Sequence, residues 1–298
     1  MTNITLNSFI CYNWMPMLAD HVLDLDEKFY KSAGVSRLHD VSHLDPEEVE
    51  EGDVVFVKTD FLYNGYFRSF IFPRIQNPFI LISGVSSYQL GPAGDKHYKS
   101  MIEDEKIIKW FCTNPPKDYS SEKIIPLPIG FEERERPGGD QKLITKYHDK
   151  RTSFVNKKNK ILLPYHDLST NDQRQCIFES LRSLPFVEVQ KEKLPWEKYI
   201  QLVDEYKFVI CLEGSGPDVH RNYECLLVNS IPVNMKNAIK KVFDYHSLPG
   251  IFVDSWGELV SQNFENYCEK EYCFDNINKF MKIKYFKKIM DKFRGEQE

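Results

Sequence analysis

The sequence has no long apolar run. No segment of its 298 residues approaches the ~18 uninterrupted apolar residues that a membrane span needs. The opening MTNITLNSFICYNW also lacks the basic region followed by an apolar stretch that marks a secretion signal. A protein working in the cytoplasm is therefore expected. There is no basic face either. Lys and Arg number 39 against 44 Asp and Glu, for a formal net charge of −5, and no cluster of cations suggests a nucleic-acid footprint. No Gly-x-x-x-x-Gly-Lys-Ser/Thr run occurs, which counts against P-loop chemistry. The seven cysteines are scattered, at Cys11, Cys112, Cys176, Cys211, Cys225, Cys268 and Cys273. Only the last two lie close together, and no second pair completes a zinc set. Reduced thiols are the expectation. A divalent cation held at a strand end would need Asp-x-Asp. The one match, Asp24-Leu25-Asp26, falls in a helical pattern, so no required metal is expected.

What the sequence does have is alternation. Hydrophobic residues make up 42% of it and aromatics 14%, enough to bury a substantial core. In the first half, ITLNSFICY, DVVFVKTD, NPFILISG, KIIKWFC and KIIPLPIGF read as strands, and ADHVLDLDEKFYKSAG as a helix ending at a glycine. The strands are short, apolar and widely separated, as buried parallel strands with crossover connections are. Between Phe131 and Lys160 the chain turns charged and carries Pro137-Gly138-Gly139, which reads as a connection.

The alternation then restarts. KILLPYH, PFVEVQ, KFVICLE, SIPVNM and GIFVDS are expected strands. STNDQRQCIFESLRSL (capped by Ser169 or Thr170), PWEKYIQLVDEY, DVHRNYECLLVN, KNAIKKVFDYH and WGELVSQNF are expected helices. This argues for a second doubly wound parallel sheet. Near the end, Ile277, Phe280, Met281, Ile289, Met290 and Phe293 fall at near-helical spacing and predict an amphipathic helix packed on the body. The expected division is a Rossmann-like domain over 1–135, a linker over 136–158, and a second Rossmann-like domain with the terminal helix over 159–298.

One stretch carries the chemistry. If KFVICLE is a strand and DVHRNYECLLVN a helix, Gly214-Ser215-Gly216-Pro217 is the turn at the strand's carboxyl end, where open α/β sheets bind ligands. Gly214 and Gly216 would let the backbone approach a ligand and take positive φ. The following helix would present unpaired N–H groups and partial positive charge, with Asp218 as its N-cap. Together these suit a phosphate or diphosphate. Arg221 and Glu224, at i and i+3 on one helix face, could fork to phosphate oxygens and accept ribose hydroxyls. They could equally be a surface ion pair.

The run GSGPDVHRNYECLLVNSIPV resembles the signature of exostosin-like glycosyltransferases. VFVKTDFL, FPRIQNPFILISG, KWFCTN, IPLPIGFEER, YHDLSTNDQR, LPWEKYIQLVDEYKFVICLEG and VDSWGEL are similar, in order, to segments of small, soluble bacterial or large-virus members. The resemblance implies the GT-B arrangement, two Rossmann-like domains facing across a cleft. It implies transfer of a sugar from a nucleoside diphosphate, with a UDP-sugar the leading donor, to a hydroxyl of a glycan acceptor. The donor would sit on Gly214, Ser215, Gly216, Asp218, Arg221 and Glu224. Glu213 stands where relatives carry a basic residue, Asn229 replaces the usual glycine, and VSSYQ follows ILISG where an acid is expected. Retaining relatives place a second glutamate eight residues on; here that position is Pro232, which favours inversion. An inverting enzyme needs a base. Asp60, at the end of the VVFVKT strand, is the candidate, with Asp95 and His97 in reserve. The alternative is a non-catalytic protein on the same fold that binds a sugar nucleotide or a glycan.

Overall fold

The computed structural model describes residues 5–25, 44–90, 96–116, 121–261 and 264–295. The chain divides into two compact units. One is Met1–Glu135 together with Phe280–Glu298, the other Arg136–Lys279. Each is built on a parallel five-stranded sheet, so the protein is α/β with two Rossmann-like halves.

The first sheet holds β1 (His21–Leu23), β2 (Val54–Lys58), β3 (Phe79–Gly84), β4 (Ile107–Cys112) and β5 (Ile124–Pro126), paired in that order. Every residue of β2 and β3 is buried, which is why these strands read as continuous apolar runs rather than alternating ones. Each crossover steps one strand in the same direction, so the strand order never reverses.

Three expectations fail in this unit. ITLNSFICY is not a strand. Ser8 N–H folds back onto Thr5 O at 2.9 Å, and only isolated bridges form, Phe9 to Lys282 and Cys11 to Phe131. The first strand is instead His21–Leu23, taken from the front of the expected helix. Pairing beside β2, His21 with Val55 and Leu23 with Val57, outweighs the local periodicity. The rest of that expected helix, from Asp26, lies outside the described residues. Finally, the chain passes from the second unit to the first within the expected C-terminal amphipathic helix, at Phe280, so that Ile283–Asp291 lies in the first unit. That helix is also broken in two, Ile277–Phe280 and Ile283–Asp291. The break occurs where Ile10 N–H bonds Met281 O at 2.9 Å and Ile283 N–H bonds Ser8 O at 3.1 Å. Of the residues at the expected spacing, Ile277, Phe280, Met281 and Met290 are buried. Ile289 and Phe293 are only partly covered.

The second sheet holds β6 (Lys158–Leu163), β7 (Val187–Val189), β8 (Tyr206–Ile210), β9 (Ile231–Met235) and β10 (Ile251–Val253), in the order β10-β9-β8-β6-β7. From β6 the chain steps outward to β7, then returns to place β8 on the other side and continues to β10. The order therefore reverses between β6 and β8, the switch point at which doubly wound sheets open a crevice beyond their carboxyl ends. The charged stretch expected as a connection contains a helix, Gln141–Lys150. Asp140 caps it, accepting from Lys142 and Leu143 N–H at 2.8 and 3.0 Å, and Ile144 and Tyr147 are buried on it.

Gly130 has φ of 80°, and an added Cβ would lie 2.8 Å from Ile10 O. The same carbonyl accepts from Phe131 N–H at 3.0 Å, which ties the amino-terminal segment to the turn after β5. Gly130→Ala should lower the unfolding free energy by about 1–3 kcal/mol, through strain and the displaced carbonyl. Urea denaturation of the protein would show it.

Candidate functional site

The carboxyl ends of β6 and β8 are joined by side chains that the sequence reading did not single out. After β6 come Pro164-Tyr165-His166-Asp167. His166 is buried, and its Nδ1 lies 2.7 Å from Pro164 O. A carbonyl only accepts, so Nδ1 carries the proton and Nε2 is the acceptor. Nε2 takes Leu212 N–H at 3.4 Å, from the segment after β8, and a guanidinium N–H of Arg221. Burial and the neighbouring Arg221 charge hold the imidazole well below its ordinary pKa, consistent with a neutral ring in this tautomer.

Arg221 sits in the first turn of the helix His220–Leu227. Besides His166 it donates from Nε to Tyr199 Oη at 3.0 Å and from NH2 to Tyr165 O at 2.9 Å. Its guanidinium lies 5.6 Å from the Tyr199 ring centroid. Burial works against its charge, but Tyr199, Cys211 and Glu224 around it more than offset that, and its pKa is raised. Arg174 opens the helix Arg174–Leu181. It spends its guanidinium on three carbonyls, Glu213 O at 2.7 Å, Asp167 O at 2.8 Å and Leu212 O at 3.3 Å. Burial first, and then the Arg221 charge, lower its pKa. The two cations therefore lie within electrostatic reach of each other. Among the described residues neither forms an ion pair with a carboxylate.

The other expected residues fall around this pair. Glu224 is buried at 6% exposure and accepts the Trp196 indole N–H at 2.7 Å; it acts on Arg221 through its charge rather than through an ion pair at contact distance. Asp218 is not the N-cap. The cap position is Val219, whose own side chain makes no cap bond, and the Asp218 carboxylate accepts from Asn222 Nδ2 at 3.1 Å and from the Tyr223 hydroxyl. The glycine turn is also not what its composition predicts. Neither Gly214 nor Gly216 has positive φ. A Cβ at Gly214 would make only ordinary contacts, the nearest at 3.5 Å to Arg174, and Gly214 N–H is turned onto Gly216 O at 3.1 Å. Ser215 is exposed. Glu213 points to the next helix start, where its carboxylate takes Asn237 Nδ2 at 2.6 Å while Asn237 Oδ1 caps Ile239 N–H at 2.8 Å. Its acid is thus tied to Asn237. Asn229 takes φ of 58° at the helix end, as its replacement of a glycine implied.

In the first unit, Asp60 follows β2 and pairs with the buried Lys58 ammonium at 2.8 Å. Asp95 lies outside the described residues, and His97 falls on the helix Lys96–Glu103. Asp24 Oδ1 accepts Leu25 N–H at 2.7 Å, while Asp26 lies outside the described residues. Among the described residues no three His, Cys, Asp or Glu side chains gather as a metal set, and no helix is long and apolar enough to cross a membrane.

His166 and Arg174 could have been found from YHDLSTNDQR. In a strand order that reverses between β6 and β8, whatever follows β6 faces whatever follows β8. What fold and site define together is a two-unit, Rossmann-like α/β protein with a cationic cluster at the switch point of its second sheet. No protein-family model matches the chain, and no curated protein matches it in sequence.

Because His166 stays neutral when folded but has its ordinary pKa near 6.5 when unfolded, the unfolded state binds the extra proton. The stability tied to this ring is complete above that value and falls as pH drops below it, by up to about 1.4 kcal/mol per pH unit. His166→Gln should remove that component from the pH dependence of denaturation midpoints; an unchanged profile would show that the ring titrates freely.

Proposed function

We propose that the protein is a glycosyltransferase that moves a sugar from a nucleoside diphosphate, UDP being the leading candidate, to a hydroxyl of a glycan acceptor, with inversion and without a required metal. The observation that carries this reading is the pair Arg174 and Arg221 at the carboxyl ends of β6 and β8, both hydrogen-bonded to neutral groups and, among the described residues, neither in an ion pair with a carboxylate. Partly buried like charges are costly unless an anion compensates them. A diphosphate supplies that anion, and the first turn of the Arg221 helix adds its partial positive charge. In transfer, negative charge builds on the leaving diphosphate, and prepositioned cations stabilise that state. The role that a divalent cation would otherwise play falls to the two arginines. Glu224, one turn further along the helix and anchored by Trp196, is the acceptor for ribose hydroxyls. Gly214, Ser215 and Gly216 provide the turn beside the diphosphate, and Asp218 holds the helix start through Asn222 and Tyr223. Asp60 is the base that takes the acceptor proton. A second reading, a sugar-nucleotide-binding protein without catalysis, is favoured by the Lys58–Asp60 ion pair, which occupies the candidate base.

Arg221→Ala should weaken uridine diphosphate binding by ~1.5–3 kcal/mol, the value of a hydrogen bond to a charged group. Glu224→Gln should weaken uridine diphosphate but leave inorganic diphosphate unchanged. Calorimetry on both ligands reads both effects, and an unaltered dissociation constant for Arg221→Ala removes the donor site. Asp60→Asn should keep donor binding and abolish both transfer and the slow donor hydrolysis expected of the wild type without acceptor, with the wild-type activity surviving a chelator. A wild-type protein that binds donor but never hydrolyses it is the non-catalytic protein of the second reading.

A further inference from the structure

The first unit exposes aromatic rings where its strands end. The helix Thr59–Tyr63 follows β2 directly, and a wide π-type turn, Phe67–Ile71, comes just after it. Such turns are rare and gather at functional sites. Tyr63, Tyr66 and Phe70 are 65%, 42% and 63% exposed, and Tyr88, from the loop after β3, is 43% exposed. Tyr63 and Tyr88 stack with centroids 4.3 Å apart and planes within 4°. Tyr66 extends the surface, 5.6 Å from Phe70 and 5.8 Å from Phe61. Large apolar side chains exposed together mark interaction surfaces rather than ordinary solvent-facing positions.

The backbone beneath this platform is held in an unusual state. Val85, three residues before Tyr88, has φ of 56°, a conformation that a β-branched residue adopts only under constraint. Its carbonyl accepts from the Lys58 ammonium, and the same ammonium pairs with Asp60 at 2.8 Å. Tyr88 N–H reaches the Ser86 hydroxyl at 3.3 Å. One lysine thus connects the strained loop that carries Tyr88 to the helix that carries Tyr63. Asp60 and Tyr63, at i and i+3, share a helix face.

The geometry points to a binding surface for a chain of pyranose sugars on the outward ring faces that the Tyr63–Tyr88 stack leaves free, with Asp60 taking sugar hydroxyls at its edge. A pyranose offers one face of C–H groups, which stacks on a flat ring, and a rim of hydroxyls that bond to a carboxylate and to phenol oxygens. The charge pattern fits a neutral, polyhydroxylated partner. Of the cations on the stretch 58–74, Lys58 pairs with Asp60 and Arg74 with Glu47 at 3.1 Å. That leaves Arg68, far short of the basic cluster that an anionic bilayer or a single-stranded nucleic acid draws on. The inference rests on the transferase reading only where it calls this sugar chain the acceptor; the surface itself stands on the rings.

The test titrates the full-length protein with soluble hexasaccharides of β-1,4-glucose, β-1,4-N-acetylglucosamine and α-1,4-glucose, following tyrosine fluorescence and calorimetric heat. At least one should bind. Tyr63→Ala and Tyr88→Ala should each weaken it by roughly 2- to 10-fold, the scale of one aromatic contact. Tyr63→Phe should keep most of the affinity, and uridine diphosphate binding should not change in any of the three. Both rings are exposed, so the variants should fold, and thermal melts check this. The inference is overturned if none of the hexasaccharides binds, or if binding is indifferent to both alanine variants. It is equally overturned if phosphatidylserine vesicles, rather than sugars, bind in a Tyr63-dependent way. Loss of sugar binding with uridine diphosphate binding retained is specific to this surface. The reverse result, sugar bound and uridine diphosphate not, removes the donor site and leaves this one standing.

Discussion

Arg174 and Arg221 hold their guanidinium groups at the carboxyl ends of β6 and β8 with only neutral partners: three carbonyls for one, and a carbonyl, a phenol and an imidazole for the other. Neutral acceptors fix the direction of each guanidinium, while the nearby Glu224 and Asp167 charges favour the cations from outside hydrogen-bond contact. Oriented cations of this kind are what an anion site needs before its ligand arrives. His166 is the pivot. If its ring were charged it would repel Arg221 and could no longer accept the Leu212 N–H. Burial and the arginine itself keep it neutral, so the constraint sustains itself as long as the site stays folded.

The two sheets place their chemistry differently. In the second unit the reversal between β6 and β8 brings two loops together, and the site follows from topology. In the first unit the described strands run in sequence order, without the reversal found in the second. Its unusual features arise instead from local constraint, in the Lys58 contacts to Asp60 and Val85 and in the π-type turn that precedes Phe72. One unit has two arginines brought together by strand order. The other has an aromatic surface built by loops.

Much of this could be read in the sequence. The β/α register of the second half was legible because buried parallel strands are apolar throughout and the helices between them keep a 3.6-residue period. KILLPYH, PFVEVQ, KFVICLE, SIPVNM and GIFVDS each hold a strand. ITLNSFICY failed because an apolar run says nothing about whether a neighbouring strand is free to pair. His21–Leu23 was missed because a three-residue edge strand has no period of its own. At the site, Arg221 and Glu224 were visible as a spacing, but their partners were not. His166, Arg174, Trp196 and Tyr199 come from other elements, and only the strand order brings them together. The glycine turn misled for a related reason: composition indicates that positive φ is permitted, not that it is used, and Gly214 sits in a conformation open to any residue. Asn229, with φ of 58°, shows the rule working where a helix end demands it.

The most direct measurement is a crystal structure of the protein with uridine diphosphate bound. The diphosphate oxygens should lie within hydrogen-bond distance of Arg221 and beside Arg174, beyond the carboxyl ends of β6 and β8, with a ribose hydroxyl on Glu224. Uridine diphosphate bound elsewhere, with Arg221 still engaged only by His166, Tyr165 and Tyr199, would contradict the account.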